Sequence, residues 1–147
     1  YFVPLLNLGE LIPDSEANIK FLPIVCGCGA VLGHVYPIYY KFKGGKGAGT
    51  MVGVLLALFP LGLAVCLTVW GFGLILTGYV GSSTILAGIM LPISTLLFYE
   101  GGLSTLFGNF SIIFCLFIIF THRSNIIRMM QGTENRFEKA MIFRKKT

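Results

Sequence analysis

The chain has 147 residues, of which 55% are hydrophobic and only 12% are charged, with a formal net charge of +5. Soluble domains carry about 25% charged residues, so this composition excludes an ordinary water-soluble globule. The basic residues cluster at 41–46 and 123–146, beside apolar segments, which is typical of cytoplasmic flanks of membrane helices and argues against nucleic-acid binding. Because Glu100 is the only charged residue within 47–121, the pattern predicts an all-α, multi-pass transmembrane bundle.

The first apolar residues, 1–6, are too few to cross a membrane. They predict the end of a truncated helix, because the chain begins at Tyr1 rather than Met, and we expect an N-terminal helix or helices to be missing. Acidic residues follow within 10–16, in a loop predicted to lie outside the cell. Residues 21–40 carry no formal charge and would be about 30 Å long as a helix, enough to cross the bilayer core.

Residues 48–77 form an apolar segment interrupted by Pro60. A single helix of this length would be about 45 Å long, whereas two halves turning at Pro60 would be near 20 Å each. Two crossings place both basic clusters on the same face of the membrane, which the positive-inside rule favours. With further apolar segments at 84–98 and 104–120, we predict five crossings in one integral-membrane domain covering residues 1–147.

The small residues inside the apolar segments predict packing rather than chemistry. The 19 glycines recur within the predicted spans, where they let transmembrane helices approach closely. The four cysteines also lie in apolar segments and lack the paired CxxC spacing of a zinc site. The sequence therefore predicts no metal site.

A basic, glycine-rich segment, KGGKGAGT, occupies residues 43–50. Gly44, Gly45 and Gly47 permit backbone conformations in which several amide hydrogens point at one anion, and the following helix adds its N-terminal dipole. Lys46 supplies a full positive charge. The segment is not a nucleotide P-loop, which requires Ser or Thr after the lysine. Phosphate binding and a flexible basic turn anchored to lipid headgroups both fit this pattern.

Two further polar segments stand at predicted helix ends on the same face of the membrane. In THRSN, His122 and Asn125 are three residues apart and would share a helical face, with Arg123 beside them. They could bind a polyol phosphate, or simply form an interfacial helix end. In GSST, Ser82 and Ser83 lie in a predicted turn, where their hydroxyls could cap the next helix or donate to an anion.

His34 lies near the inner end of the first predicted span, three residues before Pro37. A histidine at this position could take part in proton transfer or hydrogen-bond a neighbouring backbone group. The sequence favours the structural role, in which His34 holds the glycine-rich segment in place.

Two of these segments, GHVYPIYYKFKGGKG and HRSNIIRMMQGTE, closely resemble signature blocks of the acyl-phosphate:glycerol-3-phosphate acyltransferase family, and the resemblance covers essentially all 147 residues. It implies a bacterial inner-membrane enzyme with seven transmembrane helices and an active site facing the cytoplasm. Such an enzyme transfers an acyl chain from acyl phosphate to the sn-1 hydroxyl of glycerol 3-phosphate, giving lysophosphatidic acid and phosphate in the first step of phospholipid synthesis.

The resemblance also implies the partners of the protein and the roles of its residues. Its partners would be the two substrates and membrane lipid, with no metal, cofactor, nucleic acid or obligate protein partner. The catalytic residues would be Lys46, His122 and Asn125. The substrate-binding residues would be Gly44, Gly45, Gly47, Ser82, Ser83 and Arg123. Structural roles would fall to His34, Pro37, Gly132 and Glu134.

The chain departs from the family pattern at two places. The family's first block, a loop rich in glycine, serine and asparagine with a nearby arginine, is absent from this sequence, and with it half of the expected anion site. Residues 77–81, TGYVG, replace the family's arginine-containing stretch before the serine turn.

The chemistry implied by the resemblance is undemanding, because acyl phosphate is a mixed anhydride whose carbonyl is already activated. The protein mainly has to position two anions, for which Lys46 and Arg123 are suitable countercharges. The hydroxyl proton can pass to the donor phosphate while His122 and Asn125 orient the acceptor. A small-anion transporter and a non-catalytic membrane scaffold are the alternatives, although a transporter would place ionisable groups near the bilayer midplane.

Overall fold

A computed structural model of the chain describes residues 16–137 and residue 141. This part of the chain contains six α-helices and no strand, so the all-α prediction is confirmed. The helices are α1 (Glu16–Val35), α2 (Ala48–Leu58), α3 (Pro60–Thr77), α4 (Val80–Phe98), α5 (Leu106–Thr121) and α6 (Arg123–Met130). The predicted helix end at residues 1–6, and the acidic Glu10 and Asp14, lie outside the described residues.

Several helices are long and apolar enough to cross a membrane, which confirms the multi-pass prediction. Three candidate spans stand alone, namely Phe21–Tyr40, which comprises most of α1 and the 3₁₀ turn after it, Pro60–Thr77 and Val80–Phe98. The helices α5 and α6 form a fourth candidate span with a 49° bend between them. Since α2 has only 11 residues, the predicted total of five crossings stays a prediction.

The chain forms two compact units that divide between Leu58 and Phe59. In the first unit, α1 packs against α2, and a Cβ atom added to Gly27 would lie 2.8 Å from Cγ1 of Val54. The glycine therefore lets the two helices approach closely. The second unit contains α3 to α6. That the whole chain is one domain stays a prediction.

The predicted break at Pro60 is confirmed. The helix α2 ends at Leu58, and Pro60 is the first residue of α3, with Phe59 in a non-helical conformation between them. Proline suits the first position of a helix because an N–H there would have no intrahelical acceptor, so its absence in proline costs nothing. The fixed φ of proline also matches the helix.

The helix α1 ends earlier than predicted, at Val35 instead of Tyr40. The cause is Pro37, because the residue before a proline is sterically displaced from the helical region. Residues Ile38–Tyr40 form a short 3₁₀ turn instead.

The helix α4 also differs from the prediction, because it begins at Val80 and not at residue 84. Its first turn therefore contains Ser82 and Ser83, which were expected in the connection between helices. That connection is reduced to Gly78 and Tyr79. Gly78 adopts a left-handed conformation with φ 74°, and its amide donates to the carbonyl of Leu74 at 2.8 Å, which ends α3.

Glycines set the spacing of helices in the second unit, as predicted. A Cβ atom on Gly73 of α3 would lie 3.1 Å from Oγ of Ser83 on α4, and one on Gly88 of α4 would lie 3.0 Å from Ile118 on α5. Neither position could accept a larger side chain without displacing its neighbour. The predicted close packing of helices at glycine is therefore confirmed at these two positions.

Aromatic rings fill the end of the second unit where α3 begins, α4 ends and α5 begins. Tyr99 stacks on Phe107 with a centroid distance of 4.6 Å, and Phe59 meets both rings edge-on at 5.4 and 5.6 Å. Each such pair contributes about 0.5–1.5 kcal/mol beyond the burial of its area. This aromatic cluster joins the three helices at the end opposite Ser82 and Ser83.

Candidate functional site

The predicted phosphate loop, residues 41–47, follows a tight turn after α1. The amides of Tyr40 and Phe42 both donate to the carbonyl of Pro37, at 3.2 and 3.0 Å. Lys41 and Phe42 have left-handed backbones, with φ 54° and 60°. For residues other than glycine this conformation costs about 1–2 kcal/mol each, so the surrounding hydrogen bonds must hold it in place.

The amides of Gly44 and Gly45 are used by the protein itself. Gly44 donates to the carbonyl of Val35 at 3.1 Å, and Gly45 donates to the carbonyl of His34 at 3.2 Å. These carbonyls belong to the last turn of α1, which has no intrahelical donors for them. These two amides are therefore not among the several amide hydrogens that were expected to point at one anion, because the loop folds back and caps α1.

The same contacts explain why glycine stands at both positions. A Cβ atom on Gly44 would overlap the carbonyl oxygen of His34 and lie 2.6 Å from Cδ of Pro37. On Gly45 it would overlap Nε2 of the His34 imidazole. The His34 ring thus covers Gly45, and the Pro37 ring covers Gly44. The structural roles of His34 and Pro37 stay predictions.

The end of the loop leads directly into α2. Gly47 is buried and left-handed, with φ 86°, and its carbonyl accepts from the amide of Met51 at 3.0 Å. The first amides of α2 have no intrahelical acceptor, because a helix leaves its first turn unpaired, and they carry the positive end of the helix dipole. The half-buried Lys46 directly precedes this turn. An anion at this loop could therefore meet these features, but not the amides of Gly44 and Gly45, which already donate to α1.

In the second unit, the predicted serines bond to one carbonyl. Ser82 and Ser83 both donate their hydroxyls to the carbonyl of Tyr79, at 3.0 and 2.8 Å. Neither caps an amide of α4, whose N-terminal residue has no side-chain cap. Ser83 is fully buried against α3, whereas Ser82 is half-buried and lies 3.5 Å from Oγ1 of Thr77. Ser82 is therefore the more accessible of the two hydroxyls.

His122 lies at the bend between α5 and α6 and is only 4% exposed. Its Nδ1 atom is 2.9 Å from the carbonyl oxygen of Ile118. Since a carbonyl can only accept, Nδ1 carries the hydrogen, and in a neutral ring Nε2 bears the lone pair. His122 is not helical, with φ −98° and ψ 9°, because it caps α6. The predicted sharing of one helical face by His122 and Asn125 is therefore wrong, because only Asn125 lies in α6, although both residues are buried.

A buried carboxylate connects three parts of the second unit. Glu134 accepts from Nδ2 of Asn125 and from Nε of Arg128, both at 2.6 Å. Its side chain is 8% exposed, compared with 42% for Arg128. The amide of Asn125 also lies against Gly81, where an added Cβ atom would be 2.6 Å from Nδ2. The start of α4, the helix α6 and Glu134 are thereby fixed together, while the structural role of Glu134 stays a prediction.

Gly132 allows the chain to return toward this site. It has φ 69°, its amide donates to Met129 at 3.1 Å, and the amide of Thr133 donates to Arg128 at 2.8 Å. Together these bonds form a Schellman motif, in which a left-handed residue ends the helix. The predicted structural role of Gly132 thus has a specific conformational cause.

Arg123 makes the contacts expected at an interfacial helix end. Its side chain is exposed, Nη1 donates to the carbonyl of Phe120 at 3.0 Å, and the guanidinium group lies 4.3 Å from the centroid of the Phe120 ring. The arginine therefore closes the last turn of α5.

Arg136 and Phe137 contact the turn between α3 and α4, although nothing in the sequence pointed to them. The Nε atom of Arg136 donates to the carbonyl of Thr77 at 3.0 Å, and the amide of Phe137 donates to the carbonyl of Gly78 at 2.7 Å. The guanidinium group lies 5.4 Å from the ring centroid of Tyr79. The chain after α6 therefore crosses the α3–α4 turn and holds it.

The predicted site residues are divided between the two compact units. The first unit contains Lys46, the loop glycines, His34 and Pro37, and the second contains the serines and the residues from His122 to Glu134. Among the side chains that the structure describes, every buried nitrogen or oxygen atom has a hydrogen-bond partner.

Comparisons with known proteins give consistent results. A family model described as "Glycerol-3-phosphate acyltransferase" matches residues 2–132. "Glycerol-3-phosphate acyltransferase 2" of Bacillus anthracis is 44% identical over 126 residues, which cover 86% of this chain and 62% of that protein. "Glycerol-3-phosphate acyltransferase" of Desulfotalea psychrophila is 36% identical over 138 residues, covering 94% and 68%. The chain thus spans less than two thirds of the Bacillus relative.

Solved structures match over a similar range. Two crystal structures of PlsY, an integral membrane glycerol 3-phosphate acyltransferase, match with a TM-score of 0.71 each. One is the lysophosphatidic acid form and the other the glycerol 3-phosphate form, at 30% and 32% identity. The matches cover 92% of this chain and 65% and 64% of the solved chains.

Proposed function

The chain belongs to the glycerol-3-phosphate acyltransferase family, and we propose that the protein transfers an acyl chain from acyl phosphate to the sn-1 hydroxyl of glycerol 3-phosphate. The products are lysophosphatidic acid and phosphate, at the first step of phospholipid synthesis. The observation that carries this proposal is the family match over residues 2–132, which contains the loop at 41–47, the two serines and the residues from His122 to Gly132. The matched PlsY structures are named for the acceptor and the product of this reaction.

The first unit supplies the phosphate-binding feature. Lys46 stands at the entrance to α2, where the amides of the first turn and the helix dipole favour an anion. Gly44 and Gly45 contribute by docking the loop on α1, and Gly47 by its left-handed backbone. We assign binding of a substrate phosphate to Lys46 and the first turn of α2.

The second unit supplies groups that can orient the acceptor. The bond between Nδ1 and the carbonyl of Ile118 fixes the orientation of the His122 ring, and we assign this ring to the positioning of the acceptor. Asn125 is fixed by Glu134, so its amide is held in one orientation. Ser82 and Arg123 remain substrate-binding residues in this proposal, Ser82 through its accessible hydroxyl and Arg123 through its exposed charge.

The reaction requires no covalent intermediate on the protein. The sn-1 oxygen attacks the carbonyl carbon of acyl phosphate, the bond from that carbon to the phosphate oxygen breaks, and the hydroxyl proton passes to the departing phosphate. Because the leaving group is stable, the protein contributes mainly by positioning the two substrates and neutralising their negative charge.

The distribution of charge supports a placement in the membrane. Both basic clusters, 41–46 and 123–146, lie on one face if the chain crosses five times, and that face is cytoplasmic by the positive-inside rule. The protein is accordingly a multi-pass protein of the bacterial inner membrane with its site on the cytoplasmic side. No obligate protein partner enters the proposal.

The test is acyl transfer to labelled glycerol 3-phosphate by membranes that contain the complete protein, with acyl phosphate compared against acyl-CoA. We expect product from acyl phosphate alone, and Lys46→Ala should lower the rate about 100-fold, as removal of a group that stabilises developing charge does. Lys43→Ala is the matched control, because Lys43 is an exposed lysine three residues away.

Each other outcome would correct a different part of the proposal. Equal product from acyl-CoA would overturn the donor assignment. A normal rate for Lys46→Ala would remove the phosphate site from the loop. If the folded protein made no product at all, acyl transfer would be wrong, and flux of a small anion would be the next activity to measure.

A further inference from the structure

Unusually exposed aromatic side chains follow α1, in the turn formed by residues 38–43. We call these residues the aromatic turn. Its four large apolar side chains are Ile38, 74% exposed, Tyr39, 96%, Tyr40, 73%, and Phe42, 61%. Lys41 and Lys43 alternate with them and are also exposed. A water-facing turn has no reason to present this many apolar groups together.

The backbone of the aromatic turn is well defined although its side chains contact little protein. Two amides bond to the carbonyl of Pro37, and the amide of Lys43 donates to the carbonyl of Tyr40 at 3.1 Å. The left-handed conformations of Lys41 and Phe42 are sparsely populated and persist only where surrounding bonds impose them. The fold therefore holds the aromatic and basic side chains pointing outward.

Charge and position identify the partner. The turn stands at the end of the candidate span Phe21–Tyr40, where a transmembrane helix meets the headgroup layer. Tyrosine prefers this interface because its ring is apolar and its hydroxyl is polar, and lysine extends its charge to lipid phosphates. No Asp or Glu occurs among residues 21–99, so no neighbouring carboxylate in the sequence competes for the lysines.

We propose that the aromatic turn inserts into the headgroup layer of the membrane and binds anionic lipid through Lys41 and Lys43. An exposed aromatic group alone would suit a protein partner equally well. The alternation of aromatic rings with lysines at the end of a span favours an anionic lipid surface. This inference does not depend on the acyl-transfer activity.

A tryptophan reporter tests the insertion. Trp70 is the one tryptophan in the sequence, so Trp70→Phe gives a protein without tryptophan fluorescence. Tyr39→Trp in this background then places the probe in the aromatic turn. The protein is reconstituted in vesicles of phosphatidylcholine and phosphatidylglycerol brominated at shallow or deep positions. Leu67→Trp is the reference, because Leu67 lies in the middle of α3 and is 45% exposed. We expect shallow bromine to quench the Tyr39→Trp reporter most, and deep bromine to quench the Leu67→Trp reporter most.

A second measurement tests the preference for anionic lipid. Bromine is placed on phosphatidylglycerol in one vesicle preparation and on phosphatidylcholine in the other, at equal fractions. Each lysine near an anionic surface should enrich phosphatidylglycerol about fivefold beside the reporter. Lys41→Gln with Lys43→Gln should abolish the difference in quenching, whereas Lys41→Arg with Lys43→Arg should retain it.

Three results would overturn the proposal. Quenching by aqueous iodide and by no lipid would place the turn in water. Protection from both iodide and lipid would mean that protein covers it. Equal quenching by the two brominated lipids would show an interface without anionic selectivity. Thermal unfolding of the Trp70→Phe background checks that loss of the Trp70 bond to Thr84, which is 3.3 Å long, leaves the fold intact.

Discussion

The loop at 41–47 and the segment at 122–137 both place basic residues at the ends of apolar helices, yet they use these residues differently. In the loop, main-chain hydrogen bonds set the shape, while Lys41 and Lys43 are exposed. In the segment, each arginine bonds to the protein. Arg123 donates to Phe120, Arg128 to Glu134, and Arg136 to Thr77.

This difference shows why a basic cluster does not by itself identify a ligand site. The charges of the segment are directed at carbonyls and one carboxylate, so they stabilise the architecture of the second unit. The shape of the loop depends on backbone bonds, and Lys41 and Lys43 are exposed there.

The backbone docking of the loop should be the least tolerant feature. Gly44→Ala forces a Cβ atom into the carbonyl of His34, and backbone cannot move aside as a side chain can. We expect a loss of about 3 kcal/mol in the free energy of unfolding, the upper end of the range for overpacking, with loss of activity. Thermal unfolding in detergent measures it. Gly53→Ala, which meets nothing within 4 Å, should stabilise α2 by up to about 1 kcal/mol. Similar effects of the two substitutions would contradict this account of the loop.

Loss of the buried carboxylate of Glu134 should cause the second-largest loss of stability. Glu134→Gln removes the charge that pairs with Arg128, leaving that arginine with a weaker acceptor. Loss of a fully buried pair costs 3–5 kcal/mol, but Arg128 is 42% exposed and solvent screens it, so we expect about 2 kcal/mol. Glu100→Gln is the control, because Glu100 is an exposed acidic residue in a different turn. Equal unfolding temperatures for the two variants would show that the Glu134 pair stabilises nothing.

Substitution at the contact between Gly81 and Asn125 should cause an intermediate loss of stability. Gly81→Ala would press on the amide of Asn125, which can yield only by stretching its bond to Glu134. We expect a loss of about 1–2 kcal/mol in stability and a larger proportional loss in acyl transfer, because Asn125 is displaced. Gly71→Ala in α3 meets nothing within 4 Å and should leave both quantities unchanged. Unchanged activity for Gly81→Ala would remove Asn125 from the proposed site.

The crossing of Arg136 over the α3–α4 turn should have the smallest effect. Arg136→Met removes one exposed hydrogen bond to Thr77, which is worth about 0.5–1 kcal/mol. Amide hydrogen exchange should accelerate at Gly78 and Tyr79 while the rest of α3 is unaffected. The adjacent exposed residue serves as control in Asn135→Ala. Equal exchange in both variants would mean that the arginine does not hold the turn.

The sequence was sufficient for features that depend on local or periodic signals. Apolar length predicted the helices, and Pro60 predicted the break before α3 because proline acts on its own helix. The close-packing role of glycine followed from its size, as Gly73 and Gly88 confirm. The helix boundaries were less accurate. At Val80 the glycine and serines of the first turn resembled a loop, and tertiary packing against α3 drew them into the helix.

Features that depend on distant contacts could not be predicted. The amides of Gly44 and Gly45 were expected to face an anion, but the return of the loop to α1 assigns them to carbonyls there. The bond from Arg136 to Thr77 joins residues 59 positions apart, and no spacing rule connects such a pair. The carboxylate of Glu134 likewise reaches Asn125 of α6 only because the chain turns back at Gly132. Asn125 in turn contacts Gly81 at the start of α4.

The most direct test of the division between loop and segment is stabilisation by inorganic phosphate, measured as the shift in unfolding temperature. A ligand at tenfold its dissociation constant stabilises a protein by about 1.4 kcal/mol. We predict that Lys46→Met loses the shift, whereas Arg128→Met lowers the unfolding temperature of the phosphate-free protein and keeps the shift. A full phosphate shift in Lys46→Met, or its loss in an otherwise stable Arg128→Met, would contradict the account.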